Sequence, residues 1–222
     1  MTSDIIRSAI FGIAALVAFT FIPAGTLHYW QGWLYVATWI LVGSTYTVYV
    51  ARHDPALLKR RTEAGVAHER EPAQKIIISF LYVAFLLLVT LPPLDFRFGW
   101  SRMPWYWSVL GDVLIGLSFY VFYLVAKVNT YAAANVRVEK GQHVISTGAY
   151  AIVRHPMYLG ALFLVVGTPI ALGSAWSLLV VLLFLPILYF RITNEEKVLK
   201  RDLRGYEEYT RTVRYRLIPG IF

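Results

Sequence analysis

The residues able to do chemistry crowd two short stretches of this 222-residue chain. Between 129 and 160 stand Asn129, Asn135, Arg137, Glu139, His143, Ser146, Thr147, Tyr150, Arg154, His155 and Tyr158. Arg191, Asn194, Glu195 and Glu196 follow after a long apolar run. Such side chains pair with ions, hold anions and exchange protons. At the edge of an apolar segment they are costly to bury and usually have work or partners there. Several other chemistries are excluded. The chain has no cysteine, which removes disulfides, thiolate nucleophiles, cysteine zinc sites and C-terminal prenylation of the chain itself. It has no P-loop, no H-E-x-x-H helix and no G-x-G-x-x-G after a strand. A G-x-S-x-G elbow is also missing.

Taken singly, each residue has an ordinary explanation. Arg154 at a span end reads as a snorkelling anchor for lipid headgroups. Pro156 is a natural first residue of a helix. Tyr150 and Tyr158 fit an interfacial aromatic belt. Arg191 and Glu195, four apart on a helix, can pair with each other. What joins them is topology, and that depends on the elements around them.

Hydrophobic residues make up 58% of the chain and charged residues 15%, with a mean hydropathy of +0.56. Soluble domains carry about a quarter charged residues, so this composition calls for an apolar solvent. Six apolar segments run from about Ile5 to Ile22, Trp30 to Val50, Ile76 to Leu94, Trp105 to Lys127, Met157 to Leu172 and Ala175 to Phe190. Ala24 and Gly25 would suit a signal-peptide reading of the first. Its start holds only Arg7, offset by Asp4, and five apolar segments follow, so it reads as a span. Gly173 and Ser174 separate the last two segments, a pattern for a tight helical hairpin. That hairpin returns the chain to the side it left, bringing Arg154 and His155 close to Arg191 and Glu195.

The net charge of +8 resides in a few loops. Arg52, Lys59, Arg60, Arg61, Arg70 and Lys75 share one loop; Arg137, Lys140 and Arg154 another; and the stretch from Arg191 carries Lys197, Lys200, Arg201, Arg204, Arg211, Arg214 and Arg216. Across six spans these fall on one face, which the positive-inside rule makes cytoplasmic, with both termini. The charge therefore points to membrane lipids as partners and not to nucleic acid. Trp30, Trp33, Trp100, Trp105 and Trp107 fall near span ends. Asp54-Pro55 predicts a short capped helix through PALLKRR. Val198, Leu199, Leu203, Tyr206, Tyr209, Thr210 and Val213 predict an amphipathic helix on the membrane surface. Asp112, inside the fourth segment, is expected near the outer interface. The fold expected is an all-α polytopic membrane bundle of about six helices, with a C-terminal hairpin and a cytoplasmic amphipathic tail. It forms a single domain over 1–222, divided into a four-span part (1–127) and a part carrying the chemistry (128–222).

The motif T-G-A-Y-x-x-V-R-H-P-M-Y-L-G, an apolar hairpin, R-x-x-N-E-E-x-x-L and then G-Y-x-x-Y-x-x-x-V-x-x-R-L-I-P follow in this order. Together they resemble the isoprenylcysteine carboxyl methyltransferase family, whose broader architecture phospholipid methyltransferases share. The resemblance covers about Asn129 to Pro219, and DPALLKRR is similar to a loop of bacterial members. It implies S-adenosylmethionine as cofactor, bound near the cytoplasmic face without a Rossmann domain. Carried over residue by residue, it implicates His143, Val144, Ile145, Ser146, Tyr150, His155, Pro156, Met157, Tyr158 and Glu195 in holding that cofactor, with Arg137 a looser match. Arg191 corresponds to a residue facing the methyl acceptor, and Arg191 and Glu195 become the catalytic pair. The implied acceptor is lipophilic, an isoprenylcysteine-like carboxylate first, with a phospholipid amine or a thiol as rivals. Methyl transfer from a sulfonium to a carboxylate cancels charge and needs mainly orientation in a water-poor site; an amine would also need a base such as His155. A different class is also open: membrane sterol reductases share a similar C-terminal arrangement but use NADPH, whose 2′-phosphate wants clustered arginines. A transporter would place polar residues through the midplane, and here they crowd one face.

Overall fold

The computed structural model describes residues 2–62, 65, 69, 71–132, 138, 139 and 141–222. Among them there are eight α-helices and no strand: α1 (Thr2–Ala24), α2 (Trp30–His53), α3 (Pro55–Thr62), α4 (Pro72–Phe98), α5 (Trp105–Ala126), α6 (Pro156–Ala171), α7 (Leu178–Asp202) and α8 (Tyr206–Thr212). A short 3₁₀ turn occupies Gly148–Ala151. Four helices, α2, α4, α5 and α7, are long and apolar enough to cross a membrane, and Ala9–Ala24 and Pro156–Ala171 are shorter apolar helices. Every apolar segment marked in the sequence is thus a helix, and the chain is an all-α membrane bundle. Large apolar side chains such as Phe11, Phe80, Val113 and Leu182 face outward, as a lipid solvent permits.

The α3 helix starts as expected. The Asp54 carboxylate accepts the Leu57 backbone N–H at 2.9 Å, and Pro55 is the first helical residue. Asp112 is 8% exposed and faces the bundle interior beside Thr38. The α6–α7 turn is longer than Gly173-Ser174 alone, spanning 172–177. Ser174 and Ser101 donate to the Asp95 carboxylate, tying this turn to the end of α4.

The α5–α6 pair is the most extensively packed in the bundle. Small residues bring it together, since helices already in lipid associate through close backbone approach and van der Waals contact. A methyl group on Gly111 would lie 2.1 Å from the Ala171 nitrogen and 2.6 Å from its Cα; one on Gly160 would lie 2.8 Å from the Phe122 ring. We expect Gly111→Ala to lower stability by about 1–3 kcal/mol, the scale of overpacking. Gly116→Ala, where nothing lies within 4 Å, should leave it unchanged. Thermal unfolding of both variants in detergent checks this, and equal midpoints would remove Gly111 from the seam.

The tail departs most from the sequence reading. Periodicity predicts one amphipathic helix on the membrane surface. Instead α7 runs on to Asp202, the chain breaks at Gly205 (φ +84°), and α8 is only seven residues. The apolar stripe is buried within the protein: Leu203, Tyr206, Tyr209 and Val213 pack against one another and against Val138, Val144 and Leu199. Gly205 takes the left-handed conformation that a turn of this kind requires.

Candidate functional site

The stripe just described is one wall of an open pocket of about 90 Å³. Its other walls come from Asn129, Tyr131 and Ala132, from residues 142–145, and from the 3₁₀ turn, the head of α6 and the last turns of α7. Of the residues named from the sequence, His143, Val144, Ile145, Tyr150, His155, Met157, Tyr158 and Glu195 line this pocket. Ser146 is exposed and does not. Pro156 is buried as the first residue of α6 and fixes its start without reaching the cavity. Arg137 lies outside the described residues.

Tyr158 is the hinge of the polar wall. Its hydroxyl donates to Glu195 Oε2 at 2.6 Å and accepts from Arg191 Nε at 3.0 Å. Arg191 also donates to Gln74 Oε1, and Gln74 Nε2 donates to Asn194 Oδ1 at 2.8 Å. Arg191 is 5% exposed and stands behind Tyr158, outside the pocket lining. Glu195 presents its carboxylate to the cavity, with Oε1 left over from the Tyr158 contact.

Glu196 faces the other way, because one step along a helix turns a side chain by about 100°. Its carboxylate is buried and accepts from Arg154 Nε at 2.7 Å, Arg216 Nε at 2.9 Å and His155 Nε2 at 3.3 Å. The last contact requires that His155 Nε2 carry the hydrogen. Arg154 therefore does not snorkel to lipid headgroups: it is 8% exposed, and its Nη1 also donates to the Val213 and Arg214 carbonyls, both at 2.8 Å. The backbone N–H groups of Arg154 and His155 donate to the carbonyls of Tyr215 and Arg216. The segment after α8 is thereby strapped across the head of α6. Both carboxylates of the N-E-E motif are visible in the sequence; their opposite duties are not.

On the opposite wall the Tyr150 hydroxyl accepts from Asn129 Nδ2 at 2.7 Å, and its carbonyl accepts from the Tyr209 hydroxyl, also at 2.7 Å. Burial pushes the Tyr150 phenol up to about 12, so it stays a neutral donor and acceptor at any physiological pH. Glu139 does not join this wall; it meets Arg60 at 2.8 Å.

Sequence reasoning missed Tyr206 as a site residue. It is 4% exposed, lines the pocket, and its hydroxyl has no hydrogen-bond partner although it is shut off from water. The signal is the first tyrosine of G-Y-x-x-Y, which periodicity alone assigns to a surface stripe. Tyr206 and Glu195 line the same pocket, and a buried hydroxyl without a partner is a group that a ligand's polar atom can satisfy. A ligand with a cationic amine for Glu195, further polar atoms for Tyr206, and an aromatic or apolar portion for Ile145, Met157 and Leu199 matches this donor set. S-adenosylmethionine has such groups.

Comparison with known proteins agrees with the C-terminal part of this picture. Residues 105–204 match the family described as phospholipid methyltransferase. The chain is also similar to the Delta(14)-sterol reductase TM7SF2 of Mus musculus, with 32% identity over 85 residues, 37% of this chain. The chain spans about a fifth (20%) of that relative's length. The family expected from the motifs is thus the one that residues 105–204 match, phospholipid methyltransferase, the family of isoprenylcysteine-carboxyl-methyltransferase-like membrane methyltransferases.

Proposed function

We propose that this protein is an integral membrane methyltransferase that uses S-adenosylmethionine and acts on a lipophilic acceptor, in the first place on a carboxylate of the isoprenylcysteine kind. The observation that carries the reading is the Glu195–Tyr158 pair in the wall of a pocket whose Tyr206 hydroxyl is buried without a partner. Glu195 accepts from the donor's amino group, Tyr206 takes a second polar contact, and the 143–145 segment with Tyr150, His155 and Met157 closes the remaining walls. When bound, S-adenosylmethionine supplies an electrophilic methyl group on a sulfonium. Arg191 acts from behind, as a positioning residue that holds Tyr158 against Glu195 and Gln74 against Asn194. A carboxylate acceptor asks no base of this chain; an amine or thiol acceptor would ask one of His155. The positive-inside distribution of the basic loops supports a cytoplasmic assignment for the pocket and both termini. The division at residue 127 separates a mainly lipid-facing part from the part that holds the donor.

The similarity to a sterol reductase favours a second reading, in which the same pocket holds NADPH. Calorimetric titration of the purified protein with each cofactor separates the two. S-adenosylmethionine should bind and NADPH should not; heat from NADPH alone would transfer the site to reductase chemistry.

A further inference from the structure

Two adjacent arginines end α3, and they have different fates. Arg60 forks onto the Glu139 carboxylate through Nε and Nη2. Arg61 turns inward. Its Nε donates to the Ala132 carbonyl at 3.1 Å, its Nη2 reaches the Met157 sulfur at 3.7 Å, and its guanidinium lies 5.2 Å over the Tyr46 ring. Among the described residues no carboxylate meets it, and burial lowers its pKa from the usual arginine value. A sulfur and one carbonyl leave most of its five N–H donors without a strong acceptor. The neighbouring Tyr46 hydroxyl is buried and has no partner either. A partly buried cation beside an orphaned hydroxyl is an arrangement completed by an anion.

Its position says which anion. Ala132 and Met157 also line the pocket described above, so the guanidinium backs onto that pocket's wall. On its other side the Tyr46 ring packs edge-on against Phe119 at 6.0 Å. Phe119, with Gly43 and Thr47 of α2, lines an apolar cleft of about 670 Å³ between α1, α2 and α4. Arg61 and Tyr46 thus stand between an apolar cleft and a polar pocket. We propose that Arg61 and Tyr46 form the recognition site for the carboxylate of a lipophilic acceptor. The acceptor's chain runs toward the α1–α2–α4 cleft and its acid group toward Met157. This rests on the methyltransferase reading, and it assigns the acceptor's charge to α3 and not to Arg191.

The test compares binding of N-acetyl-S-farnesylcysteine, its uncharged carboxamide and farnesyl phosphate to the purified protein in detergent, by competition with a radiolabelled farnesyl acid. Wild type should prefer the acid over the carboxamide by tenfold or more. Arg61→Gln should abolish that preference, Arg61→Lys should restore part of it, and Tyr46→Phe should weaken the acid a few-fold with the carboxamide unchanged. Equal binding of acid and carboxamide by wild type, a preference that survives Arg61→Gln, or no binding of either would overturn the assignment. Preference for farnesyl phosphate over the acid would overturn it in favour of a headgroup phosphate site. Binding of S-adenosylmethionine, measured alongside, should be the same in wild type and Arg61→Gln. Its absence in wild type would defeat the methyltransferase reading while the acid–carboxamide comparison still judged Arg61.

Discussion

Replacing Glu195 by alanine should weaken S-adenosylmethionine binding by about 10- to 100-fold while the protein still inserts and folds. Glu195 holds one protein hydrogen bond, from Tyr158, and turns its other oxygen to the pocket. A hydrogen bond to a charged group contributes roughly 1.5–3 kcal/mol, and each 1.4 kcal/mol is about tenfold in affinity. Glu195→Gln keeps the shape and an acceptor oxygen but loses the charge, so it should fall between wild type and alanine. The loss should be confined to binding. Glu195 is partly exposed, and its removal leaves Tyr158 bonded to Arg191. Isothermal titration gives the affinity, and a thermal melt of the same sample reports folding. Undiminished affinity in a folded Glu195→Ala protein would remove this carboxylate from the donor site.

The adjacent residue should behave in the opposite way. Glu196→Ala should destabilise the protein by about 3–5 kcal/mol, the cost of breaking a buried ion pair and leaving a charge behind. For a chain of this size that is a fall of about 6–20 °C in melting temperature. The Glu196 side chain is 4% exposed and answers Arg154, Arg216 and His155 together. Without it Arg154 keeps only the Val213 and Arg214 carbonyls, and the strap across α6 loses its anchor. A double variant, Glu196→Ala with Arg154→Met, should recover part of the loss, because the unpaired buried cation goes with its partner. A melting point within about 2 °C of wild type for Glu196→Ala would show that solvent reaches Arg154, and the pair would then be worth no more than a surface bridge.

The contrast between neighbours also marks what a sequence can reveal. The helices are legible because apolar length is a one-dimensional property: a run such as Trp105–Ala126 has one physical solution in lipid. The meeting of the head of α6 with the foot of α7, Tyr158 with Glu195 and His155 with Glu196, is legible because a hairpin has to bring its ends together. Direction around a helix is not. Glu195 and Glu196 are equivalent in type and differ only in phase, and phase is set by what α6 and the tail offer. Arg154 reads as a lipid anchor because its true partners, the Glu196 carboxylate and the carbonyls of Val213 and Arg214, come from sequence far away. The tail stripe reads as a membrane surface helix because periodicity reports that a face is apolar, not what covers it. Tyr206 is hidden for the same reason: an orphaned hydroxyl exists only once the surrounding atoms are in place.

The shared wall of α7 has a thermodynamic consequence. One turn of one helix carries both the carboxylate that faces the pocket and the carboxylate that fastens the strap, and Tyr206 belongs to pocket and tail alike. Ligand occupancy and order of the tail that follows α7 are therefore linked functions. Whatever free energy a bound donor adds to the docking of the tail, a docked tail must return to the binding of the donor.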